Sequence, residues 1–139
     1  MIAFDTDVLT GILLRNAAFV ERAARIPASK QAVPVIVIEE IIRGRLNVIR
    51  RAEANKASID LVRAYELFEK TFSDFQRLQI LSDSAKANSL FEDWRRQGIR
   101  IATHDLRIAA ICVAHSAGLV SRNRQDFEHV PGLAVEFWA

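Results

Sequence analysis

Side chains with oxygen ligands fall at four separate places along the chain. They are Asp5 and Asp7, Glu39 and Glu40, Asp105, and Asn123 with Asp126. Carboxylates that converge from different elements repel one another and raise one another's pKa, and a divalent cation relieves that repulsion. Because the set offers only oxygen atoms, Mg²⁺ or Mn²⁺ suits it better than Zn²⁺. The three histidines, His104, His115 and His129, have no zinc-ligand spacing.

Convergence of these groups depends on the elements that carry them. Short apolar segments predict strands at 2–4, 33–36, 78–81, 119–121 and 133–136. Helical patterns cover 8–14, 17–24, 38–55, 59–75, a segment from 82 to Gly98, and 103–117, with Gly118 as the stop. This alternation predicts a three-layer α/β/α sandwich, a mostly parallel sheet of four or five strands in one domain, 1–139. Ligands bind beyond the carboxyl ends of such strands, and all four acidic places lie at that predicted edge.

Helical spacing separates the two neighbouring glutamates. Glu39 has Arg43 four residues ahead, which predicts a surface ion pair. Glu40 has Gly44 at the same distance, which leaves open space beside it. We therefore expect Glu40 to be the functional acid and Glu39 to be solvated.

Asp105 begins a helix whose apolar stripe includes Ile108, Ala109 and Cys112. The aspartate therefore stands at the head of a buried face. An acid at a helix N-terminus is also favourable without any further role, and that explanation stays open for Asp105 alone.

The other acids also have ordinary explanations. Asp5 directly ends an apolar strand, which is unusual for an acid without a role. Asp7 is expected to cap the first helix rather than to bind metal directly. Asn123 could be a turn residue, and Asp126 could pair with a neighbouring arginine. Only the whole set indicates an active site.

The composition limits the class of protein. The chain has 139 residues, half of them hydrophobic, which is enough for one core. Its formal charge of +2 and pI near 9.0 are compatible with an anionic partner but do not identify one. Cys112 is the single cysteine and lies in an apolar run, so we predict a core residue. No run reaches the roughly 18 apolar residues of a membrane span, and the start lacks a basic signal region, so we expect a cytoplasmic protein.

Four blocks of the sequence resemble those of PIN domains. They are Ile-Ala-Phe-Asp-Thr-Asp-Val-Leu at 2–9, the block at 35–44 with Glu40, the block at 101–110 with Asp105, and the block at 119–133 with Asn123. The blocks span essentially the whole chain, in order and with sensible spacing. The resemblance implies a PIN-like fold, metal ligation by Asp5, Glu40 and Asp105, and a fourth site residue at Asn123.

Among PIN domains, the length and the closing Asp-Phe-x-x-Val-Pro-Gly-Leu at 126–133 resemble VapC-type toxins of toxin–antitoxin modules. That resemblance implies an Mg²⁺- or Mn²⁺-dependent endoribonuclease, a homodimer, and inhibition by a VapB-like antitoxin. Asp7 stands where the family often has Asn or Ser, and Asn123 stands where some relatives have Asp. Asp126 is a candidate to supply the missing charge.

Two basic clusters could hold an RNA backbone. One contains Arg43, Arg45, Arg50 and Arg51, and the other contains Arg95, Arg96 and Arg100. Each is equally explained as a solvated surface.

Two other functions compete with a nuclease. Asp5-Thr-Asp7 fits the first motif of a haloacid-dehalogenase-like phosphatase, but Leu9 replaces its Thr or Val and a late acidic pair is absent. A PIN fold can also serve as a non-catalytic RNA-binding or assembly module, although such modules can lose the acids that remain here. Metal-dependent RNA cleavage would discriminate among the three.

Overall fold

Five short parallel strands form one sheet in the computed structural model, which describes all 139 residues. The strands are β1 (Ile2–Phe4), β2 (Gln31–Pro34), β3 (Gln79–Leu81), β4 (Gly118–Ser121) and β5 (Val135–Phe137). Their order is β3-β2-β1-β4-β5, and every neighbouring pair is parallel. The predicted α/β fold class and the mostly parallel sheet are confirmed.

Seven helices surround the sheet. They are α1 (Thr6–Leu13), α2 (Ala17–Ala24), α3 (Val35–Glu53), α4 (Leu61–Phe75), α5 (Ala85–Arg96), α6 (Thr103–Ala114) and α7 (Arg124–Phe127). Asn16, Asp60 and Ser84 begin α2, α4 and α5 by accepting backbone hydrogen bonds in the first turn. None of the helices combines the length and apolar composition that a membrane span requires.

The core is centred on β1, β4 and α6. Five consecutive residues of α6, from Ile108 to Cys112, are fully buried. The prediction that Cys112 is a core residue is confirmed. Burial raises the pKa of its thiol to about 12, so the sulfur remains protonated and unreactive.

Two predicted boundaries were wrong. Strand β2 ends at Pro34, so residues 35 and 36 form the first turn of α3 instead of a strand. Pro34 has no N–H and a fixed φ, which suits the position just before a helix. Helix α6 ends at Ala114, where Ser116 with a φ of 55° turns the chain, and Gly118 is a residue of β4.

Smaller differences occur near the C-terminus. Strand β5 lies at Val135–Phe137, not at 133–136, and the predicted polar loop after β4 contains α7.

Helix α4 exposes large apolar side chains, with Val62 68% and Tyr65 50% exposed. This exposure is compatible with the homodimer implied by the resemblance, which stays a prediction.

Two glycines should respond in opposite directions to alanine. Gly98, which ends α5 as predicted, has a φ of 86°, so Gly98→Ala should destabilise the protein by about 1–2 kcal/mol. Gly44 lies inside α3 with nothing within 4 Å of an added Cβ, so Gly44→Ala should stabilise it by about 0.8–1 kcal/mol. Urea unfolding of both variants measures the two changes. If the free energy of unfolding changed in the same direction in both variants, the difference in backbone conformation between the two positions would not explain the result.

Candidate active site

Asp5 lies at the carboxyl end of β1, where it begins α1. Its side chain is 7% exposed and accepts hydrogen bonds from the Thr6 N–H at 2.8 Å and the Ser121 hydroxyl at 2.7 Å. Asp5 is therefore the N-cap of α1. The prediction that Asp7 caps this helix was wrong, because Asp7 lies one residue inside the first turn and is exposed.

Glu40 reaches the same edge from the second turn of α3. Its Oε1 accepts a 2.6 Å hydrogen bond from the Thr6 hydroxyl, and its Oε2 lies 3.6 Å from Nδ1 of His104. Gly44 leaves open space as predicted. Thr6 therefore joins the N-terminus of α1 to the acid of α3.

Glu39 faces outward instead. Arg43 donates a 2.8 Å hydrogen bond to its carboxylate, so the predicted surface ion pair is confirmed. Its other oxygen lies 3.7 Å from Nε2 of His104. The imidazole therefore separates the solvated glutamate from the half-buried Glu40.

Asp105 is brought to the edge by the first turn of α6. Its Oδ2 accepts a 3.1 Å hydrogen bond from the Asn123 amide, whose own oxygen accepts from the Asp126 N–H at 3.2 Å. Asn123 also donates its backbone N–H to the Ser121 hydroxyl at 2.9 Å. Ser121 thus connects Asp5 to the loop that holds Asp105.

The acids at this edge perturb one another electrostatically. Burial raises the pKa of Asp5, the hydrogen bonds from Ser121 and Thr6 oppose the rise, and the charges of Asp7 and Glu40 add to it. Burial also raises the pKa of Asp105 to about 7, followed by hydrogen bonding with Asp126 and by the charges of Asp5, Asp126 and Glu40. The structure therefore places the sequence-predicted acids in one cluster with uncompensated negative charge.

The carboxylates are not arranged around a single point. No three acidic, histidine or cysteine side chains stand close enough to ligate one metal ion in this conformation. Asp5 and Glu40 instead hold the hydroxyls of Ser121 and Thr6, and Asp105 holds the amide of Asn123. The chemistry of the donor set, which offers only carboxylate oxygens, nevertheless fits a hard divalent cation.

No strong cation neutralises the cluster from within the chain. No ion pair joins an arginine or lysine to Asp5, Glu40 or Asp105. The neighbours of Asp126 are also turned away, since Arg122 lies over the Phe19 ring at 5.6 Å and Arg124 over Phe137 at 4.4 Å. The alternative in which Asp126 pairs with one of these arginines is therefore not observed.

The predicted RNA-binding arginines of α3 have other partners. Arg43 is held by Glu39, and Arg45 donates to the Thr71 hydroxyl at 3.1 Å. Neither one contacts the acidic cluster. Their role toward RNA stays a prediction.

Three polar residues of the site were not predicted from the sequence. Ser121 ends a predicted strand and His104 adjoins Asp105, so position relative to a strand end or a candidate acid was an available signal for both. Thr6 lies between two acids, but its hydrogen bond to Glu40 spans 34 residues, so no local pattern predicts it.

A parallel five-stranded sheet with acids gathered beyond its carboxyl edge is the arrangement that the resemblance to PIN domains implies. The sequence matches no family model. Ribonuclease VapC2 of Rickettsia felis is 28% identical over 111 residues, which are 77% of this chain and 73% of that protein. The resemblance to VapC-type proteins is thereby confirmed.

Solved structures share the fold over the full chain. The crystal structure of VapBC2 from Rickettsia felis, bound to a DNA fragment from its promoter, contains a chain with a TM-score of 0.74 and 22% identity, covering 100% of both chains. A toxin–antitoxin complex from Klebsiella pneumoniae gives a TM-score of 0.72 and 19% identity over 96% of both chains. These likenesses show the fold.

The raised pKa of Asp105 should make stability depend on pH in metal-free solution. The folded state holds this proton up to about pH 7, whereas the unfolded chain releases it near 3.8. The contribution to stability is therefore complete below the unfolded pKa and is lost as the pH rises through the folded pKa. Relative to wild type, Asp105→Asn should gain stability as the pH rises from 3.8 to about 7, and the difference should level off above that pH, measured by urea unfolding with a chelator present. A difference between the two proteins that does not change with pH would contradict this account.

Proposed function

We propose that this protein is a metal-dependent endoribonuclease that acts as the toxin of a VapBC-type toxin–antitoxin module. The observation that carries the proposal is the cluster of Asp5, Glu40 and Asp105, which share an edge and bear uncompensated charge. The similarity to a protein named ribonuclease VapC2 supports the choice of RNA as substrate. The fold shared with VapBC structures supports the toxin assignment.

In this proposal, Asp5, Glu40 and Asp105 hold Mg²⁺ or Mn²⁺ through their carboxylate oxygens. The bound cation would polarise the phosphate and activate water for hydrolysis of the phosphodiester bond. Ligation requires the carboxylates to turn away from Thr6 and Ser121, whose hydroxyls now occupy them.

The remaining residues of the site orient these acids. Ser121 and the Thr6 N–H each donate to one oxygen of Asp5, and Asn123 donates to one oxygen of Asp105, so these donors set the directions of both carboxylates. His104 lies beside Glu40, with its Nδ1 3.6 Å from the carboxylate. Asp126 adds a fourth carboxylate next to Asp105 and is our candidate for an auxiliary ligand.

The proposed partner is a VapB-like antitoxin. Toxin–antitoxin complexes are among the structures that share this fold. An acidic cluster without an internal arginine or lysine is a suitable target for a guanidinium, which binds carboxylates with two parallel hydrogen bonds. We therefore infer that the antitoxin inserts an arginine against Asp5, Glu40 and Asp105.

The site assignment predicts the loss of RNA cleavage in three variants. Asp5→Asn, Glu40→Gln and Asp105→Asn should each lower cleavage in Mn²⁺ by a factor of about 100 or more, because each removes a charged ligand. Glu39→Gln is the matched control, since Glu39 is the neighbouring acid held by Arg43, and it should cut nearly as wild type. Circular dichroism checks that all four variants fold.

Two outcomes of this series would contradict the assignment of the acids. Full activity in any two of the three variants would remove the site assignment. Loss of activity in Glu39→Gln with retention in Glu40→Gln would show that the helical-face argument is wrong.

A second prediction concerns inhibition. Replacing the arginines of the antitoxin tail by alanine should abolish inhibition of RNA cleavage, because the acidic cluster loses its counter-charge. A titration of cleavage against native and arginine-free tails measures the effect. Equal inhibition by both tails would mean that the tail acts by steric or allosteric blocking.

A further inference from the structure

A cavity of about 540 Å³ opens directly beside the acidic cluster. Its wall contains Arg95 and Arg100, the apolar side chains of Ile99 and Ile101, and Asp126. Pockets that bind small molecules commonly measure about 300–1,000 Å³, so this cavity has room for a single nucleotide. Among its lining residues the proposed function gives a role to Asp126 alone, and none to Arg95 or Arg100.

Arg95 is already held in place at the wall of the cavity. Its guanidinium donates a 2.7 Å hydrogen bond to the Thr103 hydroxyl and lies 5.2 Å from the centre of the Phe91 ring. A guanidinium that is fixed in advance loses less conformational entropy when it binds an anion. Arg100 lies on the loop between α5 and α6 and is exposed to solvent.

The next arginine of the same helix provides a contrast. Arg96 forms an ion pair with Asp93 on the exposed surface and does not line the cavity. The sequence cluster of Arg95, Arg96 and Arg100 is thus divided by the structure, and two of its three members face one cavity.

The cavity and the acidic cluster share a wall. Asp126 lines the cavity, and its backbone N–H donates a 3.2 Å hydrogen bond to Asn123, whose side-chain amide donates to Asp105. Thr103, which holds Arg95, begins the helix that carries Asp105 two residues later. The wall carries two guanidinium groups and one carboxylate, that of Asp126, so its formal charge is positive. An anion in the cavity would therefore adjoin the group held by the acids.

We propose that this cavity binds the nucleotide next to the scissile phosphate of RNA, with Arg95 and Arg100 contacting its phosphate. This inference rests on the proposed nuclease function and specifies how the substrate is held. Planar guanidinium groups match phosphate oxygens in a two-pronged geometry, and Ile99 and Ile101 offer apolar surface to the ribose or base. A single-stranded polynucleotide offers both the phosphate and the apolar ribose or base. Its phosphates would follow one another along the strand past the acidic cluster and into the cavity.

The test measures RNA binding separately from cleavage. Arg95→Gln and Arg100→Gln are each combined with Glu40→Gln in the full chain, and a labelled single-stranded RNA of random sequence is titrated by fluorescence anisotropy at several salt concentrations. Each substitution should weaken binding by a factor of about 10 and lower the salt slope by about 0.7, the value for one phosphate contact to a single strand. Arg96→Gln in the same background should change neither quantity. In the cleavage-competent protein, Arg95→Gln and Arg100→Gln should raise KM more than they lower kcat.

The possible results separate this inference from the proposed function. If wild type cleaves no RNA but RNA binding depends on Arg95 and Arg100, the nuclease proposal is wrong and the subsite is retained. RNA cleavage by wild type, with Arg95→Gln and Arg100→Gln indistinguishable from Arg96→Gln, would overturn the subsite alone. Loss of antitoxin binding with unchanged RNA binding would also overturn it, because the cavity would then be a protein contact. Arg100 is exposed, so its variant keeps the test valid if Arg95→Gln fails to fold.

Discussion

Electrostatic repulsion among buried and half-buried carboxylates is the constraint around which the rest of this structure is arranged. Asp5, Glu40 and Asp105 come from three different elements, and burial together with the neighbouring negative charges raises the pKa of Asp5 and of Asp105. The acids remain together because the elements that carry them are fixed by the core. Strand β1 and helix α6 contribute fully buried residues on the core side of the site, including Ala3 and Ile108. The packing free energy of the core therefore offsets the cost of the acidic edge.

Local hydrogen bonds reduce that cost where the core cannot. The hydroxyls of Thr6 and Ser121 and the amide of Asn123 each donate to one acid. Asp5 also begins α1, where the free N–H groups of the first turn favour a negative charge. These donors stabilise the acids without adding a positive charge, so the cluster keeps the acidic character that the proposed cation or partner's guanidinium would require.

Much of this arrangement could be predicted from local sequence, because strand ends and helical faces are local properties. The position of Asp5 after an apolar strand and the spacing of Glu39 from Arg43 both led to correct placements. The prediction that Asp7 caps α1 failed because two nearby candidates, Asp5 and Asp7, satisfy the same local rule, and β1 ends one residue before Asp5. The bond from Ser121 to Asp5 spans 116 residues, so only the pairing of β1 with β4 brings the two together.

The availability of the arginines to an anion could not be predicted from the local sequence either. A net charge of +2 and two runs of arginine do not reveal which guanidinium groups are available to an anion. The fold decides this by assigning partners, since Arg43 is held by Glu39 and Arg96 by Asp93. Arg95 is held by a neutral hydroxyl and an aromatic ring, which fix its direction and leave its charge uncompensated. In the proposed nuclease, an acidic edge for a cation and an adjoining cavity with positive charge would be complementary, because the phosphate beside the cation would be followed along the RNA strand by another phosphate within reach of the arginines.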